Sequence, residues 1–211
     1  MPIELASAEA IAELIGQRAS GVTRLVVGII GTPGAGKSTL ADELERILAD
    51  RGIETALLPM DGFHLSQAEL VRLGRRDRMG AADTFDTESY VSTLRTVRST
   101  TADVLAPGFD RDVEEPVPDA IRIPASARVV ITEGNWLLLP DDGWDAVAPH
   151  LDLTIAVLID DEVRVPRLVA RHVAHGKTPA EATAWVSRSD EANAARVQPT
   201  LALADVVVRL P

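Results

Sequence analysis

"GIIGTPGAGKSTLADEL", residues 28–44, carries an apolar strand into a glycine-rich turn and out again into a helix. The turn reads G-x-x-x-x-G-K-S from Gly31 to Ser38. Three glycines, Gly31, Gly34 and Gly36, predict a main chain that takes positive φ and comes close to an anion. The helix starting near Lys37 aims its N-terminal dipole at the same point. A phosphate is the guest that suits such a nest of backbone N–H groups. In this reading Lys37 reaches the β and γ phosphates as a mobile point charge, and the Ser38 hydroxyl holds a Mg²⁺ that keeps most of its waters. A Gly-rich turn with a stray lysine is the bland alternative, and the flanks argue against it. "RLVVGII" (24–30) is a continuous apolar, β-branched run suited to a buried parallel strand, and residues 38–52 space Leu40, Leu44, Ile47 and Leu48 as one helix face ending at Gly52.

The whole chain bounds what this turn can serve. With 211 residues, 46% of them hydrophobic, it can bury one good core and reads as a single domain over 1–211. Its start, "MPIELASAEAIAELIGQRAS", carries Glu4, Glu9 and Glu13 where a signal peptide needs a positive segment and an unbroken apolar run, so it reads as an amphipathic helix over about 7–19. No run of 18 apolar residues predicts a membrane span. Cysteine is absent, which fits a reducing cytoplasm. The formal net charge is −11, from 21 Lys and Arg against 32 Asp and Glu, and this field repels polyanions, so nucleic acid is not an expected partner. Basic residues do cluster locally, in "RLGRRDR" (72–78) and "RVPRLVARHVAHGK" (164–177), either as solvated helix faces or as sites for a small anion.

Further strands are predicted at 53–58, 104–106, 128–132 and 151–159, with a short edge piece at 205–209. Helices are predicted at 66–73, 87–99, 161–174 and 179–194. The stretch "APGFDRDVEEPVPDAIRIPASA", rich in Pro and Asp, reads as a loop with one hairpin. Alternating strands and helices mean βαβ units, a predominantly parallel sheet between helical layers, and ligands gathered at the strands' C-terminal ends. The expected fold is α/β: a three-layer P-loop architecture with a small helical lid over about 164–180.

A phosphate loop alone serves a GTPase, a mechanical ATPase or a small-molecule kinase, so other residues must decide. In "PMDGFH" (59–64), Asp61 follows a strand end on the rim where a γ phosphate would point, and its carboxylate could accept a proton from a hydroxyl; D-G after a strand is equally ordinary turn chemistry. "RVVITEGNW" (128–136) ends a strand in Glu133, placed to orient a metal-bound water, although a strand-terminal Glu before Gly is also common in turns. In "RLVARHVAHGKTPAEATAW", Arg167 and Arg171 lie four apart on one helix face, followed by Gly176 and Lys177. This suits a lid that is disordered or open without nucleotide and closes over transferring phosphates. His172 and His175 lack a third ligand nearby and make a weak metal pair. No N-K-x-D stretch is present to read guanine.

The ordered set "GTPGAGKST", "PMDGFH", "RMGAADTFD", "APGFDRDVEEPV", "TEGNWLL" and "RLVARHVAHG" resembles the uridine kinase, phosphoribulokinase and bacterial pantothenate kinase group of P-loop kinases. Within that group it is most similar to bacterial proteins described as fructose-transport-system or nucleoside kinases. The likeness runs from about residue 24 to 208. It implies Asp61 as catalytic base, Lys37 and Ser38 as phosphate ligands, Glu133 as the acid near Mg²⁺, and Arg167 and Arg171 as lid arginines. Phe85 with Asp86, and Phe109 with Arg111, occupy places that frame the nucleoside in uridine kinases. The candidate sets are therefore Asp61, Lys37, Glu133 and Arg171 for catalysis; Gly31, Thr32, Pro33, Gly34, Ala35, Gly36, Lys37, Ser38, Thr39, Arg167 and Arg171 for ATP; Asp61, His64, Arg78, Phe85, Phe109 and Arg111 for the acceptor; and Ser38 with Glu133 for Mg²⁺ through water. With aromatic residues at 3% the chain has few rings to hold a base.

These residues predict an ATP-dependent kinase acting on a hydroxyl of a nucleoside, a sugar or a pantothenate-like molecule. The alternative is a nucleotide-gated switch or accessory ATPase acting on a protein partner. No membrane partner is expected, and a homodimer is an assembly common in the group it resembles.

Overall fold

The computed structural model describes residues 2–209. Its centre is the strand that opened the sequence, β2 (Leu25–Ile30), in which all six residues are buried. Side chains alternate across it: Val26 and Ile30 enter one hydrophobic core, and Leu25, Val27 and Ile29 enter the other. Only a parallel sheet covered on both faces leaves no position for a polar residue along such a strand.

The element order begins with β1 (Ile3–Leu5), α1 (Ala8–Ala19), β2, α2 (Lys37–Asp50) and β3 (Thr55–Pro59). It continues through α3 (Gln67–Arg72), α4 (Thr87–Ser99), β4 (Val104–Asp110), β5 (Glu115–Ile123), β6 (Val129–Gly134) and β7 (Leu153–Leu158). The chain then forms α5 (Asp161–Ala174), α6 (Pro179–Trp185), α7 (Glu191–Val197) and β8 (Val206–Arg209). Six strands form one sheet in the order β1-β8-β7-β2-β6-β3, and every pairing in it is parallel. Helices α1 and α2 cover one face through Ile11, Ile15, Leu40, Leu44 and Leu48. The other face packs Tyr90, Leu94, Trp136, Trp144 and Val197.

Several elements differ from the sequence expectation. The helix expected over about 7–19 is present as α1, capped by the Ser7 hydroxyl accepting from the Ala10 amide, but an unexpected strand, Ile3–Leu5, precedes it and pairs with β8. β8 is thus an inner strand and β1 the edge. The Pro-rich stretch is a full antiparallel hairpin, β4–β5, standing apart from the main sheet with an irregularity between Ala106 and Gly108. Proline is tolerated because a two-stranded ribbon consists of edges, where a missing N–H removes no needed ladder bond. The helix expected over 179–194 runs without a gap to Val197, widening into a π-turn at Val186–Asp190, a feature that often marks a functional site.

Register positions the site. Glu133 of β6 stands opposite Ile29 of β2 on one side and Pro59 of β3 on the other. The phosphate loop leaves β2 two residues after Ile29, and Asp61 follows Pro59 by two. All three therefore meet above the same end of the sheet.

Candidate active site

The loop between β2 and α2 is built by backbone conformation. Gly34 and Gly36 have φ of 78° and 93°, in the left-handed region where an L side chain is strained. Gly31 does not, contrary to the expectation for all three glycines; a Cβ there would sit 3.1 Å from the Val157 carbonyl oxygen, so close packing explains it. The lid helix α5 is seated on this loop rather than standing off it. Leu168 is fully buried, and a Cβ on Gly34 would meet its side chain at 2.7 Å. Arg164, 1% exposed, donates to the Pro33 carbonyl (3.3 Å) and pairs with Asp161 (2.8 Å) and Glu191 (2.6 Å). The stem of the lid is therefore part of the core. Arg167 and Arg171 line the cleft above Gly34, Gly36, Lys37, Ser38 and Thr39.

Lys37 is buried and donates to the carbonyls of Gly31 (3.1 Å) and Thr32 (3.2 Å) and to Asn135 Oδ1 (2.6 Å). Burial pushes its pKa down, against the attraction of Glu133 and Asp61. The Ser38 hydroxyl donates to Glu133 Oε1 at 2.9 Å. Burial, reinforced by the charge of Asp61, pushes the Glu133 carboxyl above the usual range. Burial would also raise Asp61, but Arg111, His64 and Lys37 outweigh it and hold its carboxyl below the ordinary aspartate value. The pKa values of the two neighbouring carboxyls are thereby driven apart, Glu133 upward and Asp61 downward. Arg111, on the hairpin tip, donates to Asp61 Oδ2 at 2.7 Å.

Asp61 lies in a 3-10 turn, Met60–Phe63, held between neighbours. A Cβ on Gly62 would fall 2.0 Å from the Pro107 carbonyl oxygen, so the hairpin passes directly over this glycine. Close approach, not turn dihedrals, explains the D-G pair. Beneath it Tyr90 and Thr132 share a buried hydrogen bond, and the Thr132 hydroxyl donates to the Leu58 carbonyl.

One cavity of about 170 Å³ joins these groups. It is lined by Lys37, Ser38, Asp61, His64, Phe85, Phe109, Arg111, Glu133 and Arg171, so nearly all the expected acceptor residues meet there. Arg78 does not: it pairs with Asp83 at 2.8 Å in a separate surface groove with Arg188 and Arg196. Asp86 is also elsewhere, capping α4 at the Ser89 amide. His64 stacks on Phe85 with centroids 4.0 Å apart and leans on Phe109 at 4.9 Å, and burial pushes its pKa down.

The cavity also contains residues that sequence reasoning did not single out. Asn135 follows Glu133 by two in the turn after β6. Glu114 holds a left-handed φ of 53° at the hairpin tip and pairs with Arg76 at 2.6 Å. Asn193 and Asp190 come from α7 and the π-turn, and the Asp190 carboxylate accepts from His172 Nε2 at 2.8 Å. His175 instead meets the Arg171 carbonyl. The nearest sequence signal was the run "TEGNW" itself, with a polar side chain beside the strand-end acid.

A phosphate loop on a parallel sheet, with an ionised carboxylate on the adjoining rim and cations on a lid, defines the class of P-loop phosphotransferases. Residues 26–211 match the model of the phosphoribulokinase / uridine kinase family, and the chain belongs to that family. It is 35% identical over 189 residues to the Escherichia coli (strain K12) protein YggC, covering 89% of this chain and 78% of that one. It is 33% identical over 195 residues to the "Putative uridine kinase C227.14" of Schizosaccharomyces pombe, covering 88% and 83%. The solved structure of a "putative fructose transport system kinase" from Silicibacter sp. TM1040 superimposes with a TM-score of 0.89 at 31% identity, over 98% of this chain and all of that one. The protein is a small-molecule kinase that phosphorylates hydroxyl groups. No helix among the described residues is long and apolar enough to cross a membrane.

Proposed function

We propose that the chain acts as one kinase unit that transfers the γ-phosphate of ATP to a hydroxyl of a compact sugar-like polyol. The convergence of Lys37, Ser38, Glu133 and ionised Asp61 on one cavity carries this reading. Asp61 takes the hydroxyl proton, and its depressed pKa keeps it ready to do so at neutral pH. Backbone N–H groups of residues 31–38 and the Lys37 ammonium hold the phosphates; Arg167 and Arg171 close over the transfer from α5.

The donor set suits a hydrated Mg²⁺. Ser38 and Glu133 present hard oxygens beside the phosphate loop, and among the described residues no group of three or more His, Asp or Glu side chains is gathered into an all-protein cage. Ser38 and, through water, Glu133 would hold the ion, which offsets phosphate charge when bound.

A sugar is favoured over a nucleoside by the rings. Phe85 and His64 cover each other, Phe85 also meets the edge of Trp144 at 5.6 Å, and Phe109 leans on His64, so these rings have little free face to sandwich a base. The cavity of about 170 Å³ is close to one that accommodates a single benzene ring, about 150 Å³. The Silicibacter relative, named for fructose transport, supports the same class. An ADP-release screen over sugars, nucleosides and vitamin precursors, ranked by kcat/KM, tests the reading. A sugar should lead; a nucleoside at the head would overturn the acceptor, and ATP turnover indifferent to every acceptor would overturn the kinase.

A further inference from the structure

An ammonium has three protons, and at Lys37 all three are engaged within the protein. Two go to backbone carbonyls of the phosphate loop, Gly31 at 3.1 Å and Thr32 at 3.2 Å. The third and shortest goes to a side chain, Asn135 Oδ1 at 2.6 Å. Asn135 lies in the turn after β6, on the acceptor side of the cavity with Asp61 and Glu133. A phosphate oxygen can hydrogen-bond Lys37 only if one of these partners yields. The side chain can swing away, whereas the two carbonyls are fixed by the loop. It is also neutral, so a triphosphate's charge outcompetes it where a carboxylate would resist.

We propose that Asn135 is a latch on Lys37, a positioning residue that holds the lysine away from the phosphates until bound nucleotide displaces it. The inference rests on the phosphate-loop reading above. It means that the free protein is divided between latched and released lysine, and that nucleotide affinity is reduced by the latched fraction.

The test is calorimetric titration of the full chain with Mg·ATP, which needs no acceptor. Asn135→Ala should bind Mg·ATP about 3- to 10-fold more tightly than the unaltered chain, with Asn135→Ser as the second variant should the first fail to fold. Because the latch acts only through Lys37, the same substitution in a Lys37→Ala background should leave affinity unchanged, closing a double-mutant cycle. A purely structural Asn135 would weaken binding or leave it alone. Unchanged or weaker affinity in Asn135→Ala and Asn135→Ser, or the same tightening with and without Lys37, would overturn the latch and leave the proposed function standing. Absence of Mg·ATP binding by the unaltered chain would overturn both.

Discussion

Arg111 and Asp61, 50 residues apart in sequence, form an ion pair of 2.7 Å in which the hairpin tip grips the rim of the sheet. The Asp61 side chain is 28% exposed, so it stands at the mouth of the cavity rather than sealed beneath it. Burial acts to protonate it and Arg111 is the foremost influence keeping it ionised. The hairpin is therefore an electrostatic part of the site as well as a wall.

Arg111→Met should raise the Asp61 pKa, because burial then acts with weaker opposition. A base works when ionised, so the acid limb of kcat/KM in the unaltered enzyme should lie below the ordinary aspartate range. The variant's acid limb should move to higher pH. Stability follows with worked-out sign. A depressed folded pKa contributes stability above the unfolded value and loses it as pH falls through the folded one. Raising the folded pKa reduces that contribution, so the Tm deficit of the variant should be larger at pH 7 than at pH 4. Superimposable acid limbs would show that Arg111 does not tune the base.

Asp61→Asn keeps the shape and the contact with Arg111 but cannot take a proton. We expect kcat to fall on the order of 10²-fold or more, with Mg·ATP affinity within about threefold of the unaltered chain. Single-turnover rates beside calorimetry separate the two effects. A variant with full kcat would exclude Asp61 as the base.

The parts of this site that could be read from sequence are those whose signal is local. The phosphate loop is legible because strand, glycine spacing and helix are contiguous, and Asp61 and Glu133 because each ends an apolar strand. Asn135 was not legible: its meaning comes from a contact with Lys37 across 98 residues, which no periodicity reports. A charge cluster does not say which way Arg78 faces; in the structure Asp83 holds it in the separate groove. Strand β1 is only three residues long, too short for an alternation to register. The hairpin was underestimated because prolines argue against strands in a sheet interior, and this ribbon has none.

Glu133→Gln removes the charge that accepts from Ser38 while keeping a polar group of the same size. If Glu133 orients the Mg²⁺ waters, the Mg²⁺ concentration for half-maximal turnover should rise about 10-fold or more, as for other outer-sphere partners. Chelation by EDTA should abolish turnover in both enzymes. An unchanged Mg²⁺ titration would remove Glu133 from the metal's surroundings.

Gly62→Ala tests whether the hairpin and the Asp61 turn must touch. The added Cβ would lie 2.0 Å from the Pro107 carbonyl oxygen, and the atom it meets is backbone, which cannot rotate aside as a side-chain tip can. Either the 3-10 turn or β4 must move. Overpacking of this kind costs about 1–3 kcal/mol, and for a chain of this size that corresponds to a Tm drop of roughly 2–12 °C. Displacing the hairpin also carries Arg111 from Asp61, so the acid limb of kcat/KM should shift upward as in Arg111→Met, at smaller amplitude. Gly21→Ala is the matched control, since nothing lies within 4 Å of its Cβ, and it should change stability by no more than about 0.5 kcal/mol. A Gly62→Ala protein as stable as the Gly21→Ala control, with an unmoved pH profile, would mean that the hairpin does not bear on the catalytic turn.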